Sequence, residues 1–116
     1  MIKSFRDLDV WKKSIELVKE IYRITEEMPN TEKYGLISQM RRAVVSIPSN
    51  IAEGFRRKSP REFRQFLSIA LGSLAELETQ LVIAKELNYL RSENEIAILE
   101  YIDHISRMIS NLIKRL

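Results

Sequence analysis

Residues 39–54 read Gln39-Met40-Arg41-Arg42-Ala43-Val44-Val45-Ser46-Ile47-Pro48-Ser49-Asn50-Ile51-Ala52-Glu53-Gly54. Apolar side chains at Met40, Val44, Ile47 and Ile51 recur at helical spacing and mark one face of a helix. Pro48 falls inside that pattern. It has no amide hydrogen for the Val44 carbonyl, and its ring crowds that same carbonyl. The pattern therefore predicts a helix kinked at Pro48. Two adjacent arginines stand near its start and Arg56-Arg57-Lys58 lie just past its end, so the stretch also opens the most basic part of the chain.

Three more helices flank this one. The first is expected to begin near Asp7 or Asp9, either of which can cap it, and to run to about Met28, before Pro29-Asn30. Trp11, Ile15, Val18, Tyr22 and Thr25 form one seam on it. Val10, Leu17, Ile21, Ile24 and Met28 form a second, and together they make a wide core-facing stripe. Helix two is expected after Asn30-Thr31 and to continue to about Arg57. Ser59-Pro60-Arg61-Glu62 then reads as a strong start signal, with Ser59 as cap, Pro60 at the first helical position and Glu62 completing a capping box. Helix three carries Phe63, Phe66, Leu67, Ala70, Leu74, Leu77, Leu81 and Ala84 and meets no breaker until Asn88-Tyr89. Ser92-Glu93-Asn94-Glu95 reads as a second capping box. Helix four follows with Ile98, Ile102, Ile105, Ile109, Leu112 and Leu116, and ends in Lys114-Arg115. Short loops between long helices force antiparallel neighbours. The fold class is all-α, an antiparallel up-down-up-down four-helix bundle, in one domain over residues 1–116.

Composition agrees. The chain has three glycines and three prolines and is 45% hydrophobic and 30% charged, a balance that suits helices. It has no cysteine, which excludes disulfides and thiolate metal sites. The polar start Met1-Ile2-Lys3-Ser4-Phe5-Arg6-Asp7 lacks the layout of a targeting segment. No stretch approaches the ~20 uninterrupted apolar residues of a membrane helix. A cytoplasmic protein with no membrane partner is expected.

Helices two and three carry a second, unusual face. Opposite the core stripe of helix three lie Ser68, Gly72, Ala75 and Thr79, all small, together with Ile69 and Ile83. Val45, Ser49 and Ala52 lie well off the core stripe of helix two. A solvated surface helix is usually charged there. An apolar or small strip on a long helix predicts a partner, and Val45, Ser49, Ala52, Ser68, Gly72, Ala75 and Thr79 are the expected subunit interface.

Catalytic chemistry is poorly provided for. The single histidine, His104, has Tyr101 three residues before it, so the Glu-x-x-His pattern of a di-iron bundle is missing. No serine has an evident histidine and carboxylate partner. Three isolated glycines cannot make a phosphate-cradling loop. Glu53 with Glu76 or Glu78 would have to serve as an acid–base pair, and glutamates on helix surfaces are commonplace. A protein with no catalytic residues, metal or cofactor is expected.

Charge is the positive signal. Net charge is +3, but it is uneven. Residues 32–68 hold eight bases against three acids, whereas residues 1–31 are neutral and residues 69–116 carry a net −2. Arg42 and Arg56 fall nearly aligned on the outer face of helix two, and Arg57, Lys58, Arg61 and Arg64 crowd the corner into helix three. Such a patch can neutralise several phosphates and bind nucleic acid with strong salt dependence. Phe55 is the one nearby aromatic free for stacking, which favours backbone contact over base reading. The competing reading is a protein-interaction scaffold whose arginines pair with glutamates.

Phe5-Arg6-Asp7-Leu8-Asp9-Val10-Trp11-Lys12, Tyr34-Gly35-Leu36-Ile37-Ser38-Gln39-Met40-Arg41-Arg42-Ala43, Ser46-Ile47-Pro48-Ser49-Asn50-Ile51-Ala52-Glu53-Gly54 and Gly72-Ser73-Leu74-Ala75-Glu76-Leu77-Glu78 carry a resemblance over essentially the whole chain. They resemble the four-helix bundle proteins encoded by intervening sequences in bacterial 23S rRNA genes. They are more distantly similar to the accessory variability proteins of diversity-generating retroelements. The resemblance implies an antiparallel bundle assembled as a homopentameric, barrel-like ring, without enzymatic activity. In the retroelement relatives it implies binding of nucleic acid and of a reverse transcriptase, a partner expected here only if one is encoded beside this chain.

Overall fold

A computed structural model describes the whole chain, Met1–Leu116. Its helices are α1 (Asp9–Glu26), α2 (Leu36–Arg56), α3 (Pro60–Glu86) and α4 (Ser92–Arg115), with single 3-10 turns at Phe5–Asp7 and Asn30–Glu32. Each helix packs on two others in a closed ring, α1 on α2, α2 on α3, α3 on α4 and α4 on α1, and the backbones of the diagonal pairs stay more than 8 Å apart. Cross-helix contacts set the directions. Ser46 bonds Ser73 across α2 and α3. Arg23 reaches Asn94, and Tyr101 reaches Glu16, across α1 and α4. Arg41 meets Thr25 at one end of the α1–α2 pair, and Arg56 covers Phe5 at the other. With Gly54 of α2 against Phe66 of α3 as the second contact of that pair, rising number on one helix meets falling number on its neighbour in the α1–α2, α2–α3 and α1–α4 pairs, which makes α3 and α4 antiparallel as well. It measures 43 × 24 × 20 Å.

The core follows the predicted stripes. Leu17, Ile21 and Ile24 from α1, Met40, Val44, Ile47 and Ile51 from α2, Leu67, Leu74, Leu77 and Leu81 from α3, and Ile98, Ile105 and Ile109 from α4 are fully enclosed. Tyr22 departs from its expected seam: it is 41% exposed, and Arg41 of the neighbouring helix stacks on its ring, 4.5 Å from its centre.

Several helix ends differ from expectation. Asp7 does not cap α1. It closes a capping box with Ser4 around the 3-10 turn, and Leu8 precedes α1 without a side-chain cap. The α1 helix stops at Glu26, short of Met28. Helix two starts at Leu36, later than predicted, because Asn30–Glu32 forms a separate turn. There the Glu32 carboxylate accepts from the Leu36 amide at 3.1 Å, and a Cβ on Gly35 would stand 2.7 Å from that oxygen. Ser59 does accept from the Glu62 amide at 3.3 Å, but Glu62 turns to Arg57 instead of closing the box. Ser92 is the first residue of α4, behind Arg91, with no side-chain cap.

Pro48 lies inside α2, and the helix continues through it to Arg56. Side chains supplement the ladder one and two residues beyond the Val44 carbonyl that Pro48 leaves without its helical amide. Ser49 Oγ donates to the Val45 carbonyl at 2.8 Å, and Asn50 Nδ2 donates to the Ser46 carbonyl at 2.7 Å.

Helix α3 is long and apolar enough to cross a membrane by length and composition alone, although Glu76 and Glu78 interrupt its apolar run. The reason is its two-sided character. Phe63, Leu67, Ala70, Leu74, Leu77, Leu81 and Ala84 are buried against the bundle, while Ile69, Val82 and Ile83 are exposed.

The α2–α3 pair is the most extensive of the helix contacts, and the two helices lie close together at Gly54. A Cβ there would come within 2.6 Å of the Phe66 Cβ and 3.0 Å of Phe63 Cδ1. Gly54→Ala raises intrinsic helix propensity by up to ~1 kcal/mol yet overpacks this contact at a cost of about 1–3 kcal/mol. Net destabilisation is expected, read as a lower urea midpoint by circular dichroism with an unchanged slope.

Candidate nucleic-acid interface

The basic corner forms where α2 ends and α3 begins. Arg56 is the last residue of α2, Arg57 follows as its C-cap, and Ser59 caps α3. Four cations, Arg56, Lys58, Arg61 and half-buried Arg64, make no ion pair here. Arg57 differs. It pairs with Glu53 at 3.0 Å and Glu62 at 3.8 Å, and its guanidinium lies 5.1 Å from the centre of the Phe66 ring. Its charge is locally balanced, so it braces the corner across both helices. Arg56 lies 5.4 Å from the centre of the Phe5 ring, which in turn packs on Trp11 at 5.3 Å. The N-terminal turn thus supports the corner from below.

Lys58 has φ 55°, in the left-handed region that a side chain raises in energy and glycine enters freely. This position after a helix is commonly glycine. Asn88 takes the equivalent place after α3 with φ 63°. There the Tyr89 amide donates to the Ala84 carbonyl at 2.9 Å and the Asn88 amide to Lys85 at 3.0 Å, as a Schellman motif requires. Asparagine tolerates this backbone; lysine has no such local advantage. A recess of about 370 Å³ beside it is lined by Lys3, Phe55, Lys58, Pro60 and Phe63 among others. Lys3 is a cation that the sequence reading did not place at the corner.

Two expected members sit differently. Arg42 is exposed and unpaired, but fourteen residues of helix separate it from Arg56, roughly 21 Å along the axis. It borders a groove at the other end of α2. Phe55 packs edge-on against Phe63, with ring centres 6.0 Å apart, and is half-buried. It is committed to packing and offers little for base stacking.

The expected subunit face is open in the single chain. Val45, Ser49, Ser68, Gly72, Ala75 and Thr79 are exposed and Ala52 is half-buried. Ile69 (51% exposed), Val82 and Ile83 extend this face on α3. A Cβ on Gly72 would meet nothing within 4 Å, so the subunit's own packing does not require glycine there.

Four antiparallel helices, a cation-rich corner and an open apolar flank define a small helical-bundle class. The chain belongs to the 23S rRNA-intervening sequence protein family, whose model matches residues 6–111. Among solved structures, it is similar to a protein of unknown function from the S23 ribosomal protein family of Bacteroides thetaiotaomicron. The two are 27% identical and superpose with a TM-score of 0.83, over 90% of this chain and 98% of that one. Among curated proteins none matches the chain.

Lys58→Gly is expected to stabilise the fold by about 0.5–1 kcal/mol, because it removes the left-handed strain. Urea denaturation checks this, with a higher midpoint as the expected result.

Proposed function

We propose that the protein is a non-catalytic homo-oligomer, a pentamer on the family resemblance, that binds nucleic acid through its basic corner. The observation that carries this reading is the set of unpaired cations at residues 56–64, with Lys58 held in a backbone conformation that favours glycine. Strain kept at a charged, exposed position points to use of the charge. Exposed ion pairs contribute only ~0–1 kcal/mol each, so leaving these arginines unpaired costs the fold little and keeps them available for phosphates. A ring of subunits would repeat the corner, and repetition raises avidity without new contacts. The assembly surface of the proposal is the α2–α3 flank, where Gly72 gives a second backbone room to approach.

The binding test is a salt series with RNA and DNA by filter retention. Affinity is expected to fall with a log–log slope of about −0.7 per phosphate contact for single strands and −0.9 for duplex. Replacing Arg56, Arg57 and Lys58 together by alanine flattens that slope and weakens binding on all sequences alike. Binding equal to wild type would leave the interaction-scaffold reading, which the Glu53–Arg57–Glu62 pairing favours. In that reading the partner is a protein, a reverse transcriptase where one is encoded nearby.

Assembly is tested separately by light scattering. Wild type is expected at five times the subunit's 13.6 kDa. Gly72→Arg, which places a long charged side chain on the open flank, is expected to yield the monomer with its helicity intact. A monomeric wild type at tens of micromolar removes the assembly proposal.

A further inference from the structure

A second cationic surface lies at the opposite end of α2 from the corner. The end of α1, the 30–35 connection and the first turns of α2 border an open groove of about 630 Å³. Tyr22, Lys33, Tyr34, Arg41 and Arg42 supply its aromatic and charged lining. Tyr34 is 90% exposed, an extreme value for a ring that would lose little by folding inward. Lys33 Nζ lies 5.6 Å from its ring centre, which leaves the other face of the ring open.

The rest of the groove is held in place. Arg41 stacks on Tyr22, and its Nε donates to Thr25 Oγ1 at 3.0 Å while an Nη donates to Glu26 at 3.1 Å. The connection bearing Tyr34 is anchored by Glu32, which accepts from the Tyr89 hydroxyl at 3.2 Å as well as from the Leu36 amide. Partial burial, and then the Glu32 carboxylate, hold the Tyr89 hydroxyl above its ordinary pKa. Lys33 and Arg42 make no ion pair, and Glu26 at the end of α1 is already on Arg41.

An open aromatic face beside unpaired cations suits one ligand chemistry: a planar base flanked by phosphates. Such a ring can stack only on a base whose own face is free, as in single strands and not within a duplex. We infer that this groove binds single-stranded nucleic acid, with a base stacked on Tyr34 and the adjoining phosphates on Lys33 and Arg42. The inference rests on the nucleic-acid reading above and narrows it to a strand class and a second contact point.

Fluorescence anisotropy tests it with labelled RNA and DNA single strands of about 12 nucleotides, within the usual site sizes, and with the matching duplexes. The oligomer is used as wild type, Tyr34→Ala, Tyr34→Phe and the Arg56, Arg57, Lys58 triple alanine variant. Tyr34→Ala is expected to weaken single-strand binding about tenfold, in the range of one lost base stack, and to leave duplex binding unchanged. Tyr34→Phe retains the ring and is expected to bind as wild type. Single-strand binding unaffected by Tyr34→Ala overturns the inference, as does equal loss on both polymers. The triple variant separates this from the corner. If it binds normally while Tyr34→Ala fails on single strands, the corner reading falls and the groove stands. If wild type binds neither polymer at low salt, both fall. Tyr34 is almost wholly exposed, so circular dichroism of its variants is expected to match wild type.

Discussion

The close approach of α2 and α3 at Gly54 is the contact on which the remaining geometry depends. Its missing side chain lets α2 lie directly against Phe63 and Phe66 of α3, at the end where only Arg57, Lys58 and Ser59 join the two helices. A connection this short leaves no slack, so the spacing of the helices sets the path of the corner. That path puts Lys58 in the left-handed region and draws Arg57 between Glu53 and Glu62. Farther along, the Ser46–Ser73 hydrogen bond keeps the same pair in register. Packing and display of charge are therefore coupled at one place.

Much of this was legible in the chain. Apolar spacing marked all four helices, because a bundle helix must bury one stripe. Ser59-Pro60 marked the start of α3, because a hydroxyl acceptor and a residue without an amide hydrogen both suit a first turn. The charge run at 56–64 marked the corner, since these residues lie within one connection and the turns beside it. The small outer face of α3 was also visible, from Gly72 and its neighbours.

What escaped the sequence depended on contacts between distant residues. Tyr22 fits the core stripe by spacing, yet Arg41 of another helix claims its ring. Ser92 fits a capping box by pattern, yet the chain enters α4 one residue earlier, so Ser92 lies inside the helix. Glu32, from a separate turn, is the residue that supplies the acceptor for α2. Arg57 counts as one more cation in the sequence and as a braced, neutralised one in the fold. Tyr34 became a candidate only when the 30–35 connection was seen to fold beside Arg41 and Arg42, and no local pattern specifies that placement.

The two cationic surfaces share α2 as their common support, one near its start and one at its end, and the expected subunit flank between them meets the groove at Val45. The central claim is that nucleic acid occupies both. Ultraviolet cross-linking of the bound RNA, followed by mass spectrometry of the attached peptides, tests it most directly. The account predicts cross-links in the peptide containing Tyr34 and in those spanning residues 55–64. Cross-links concentrated on α4, or none to either region under conditions where the RNA is bound, would contradict it.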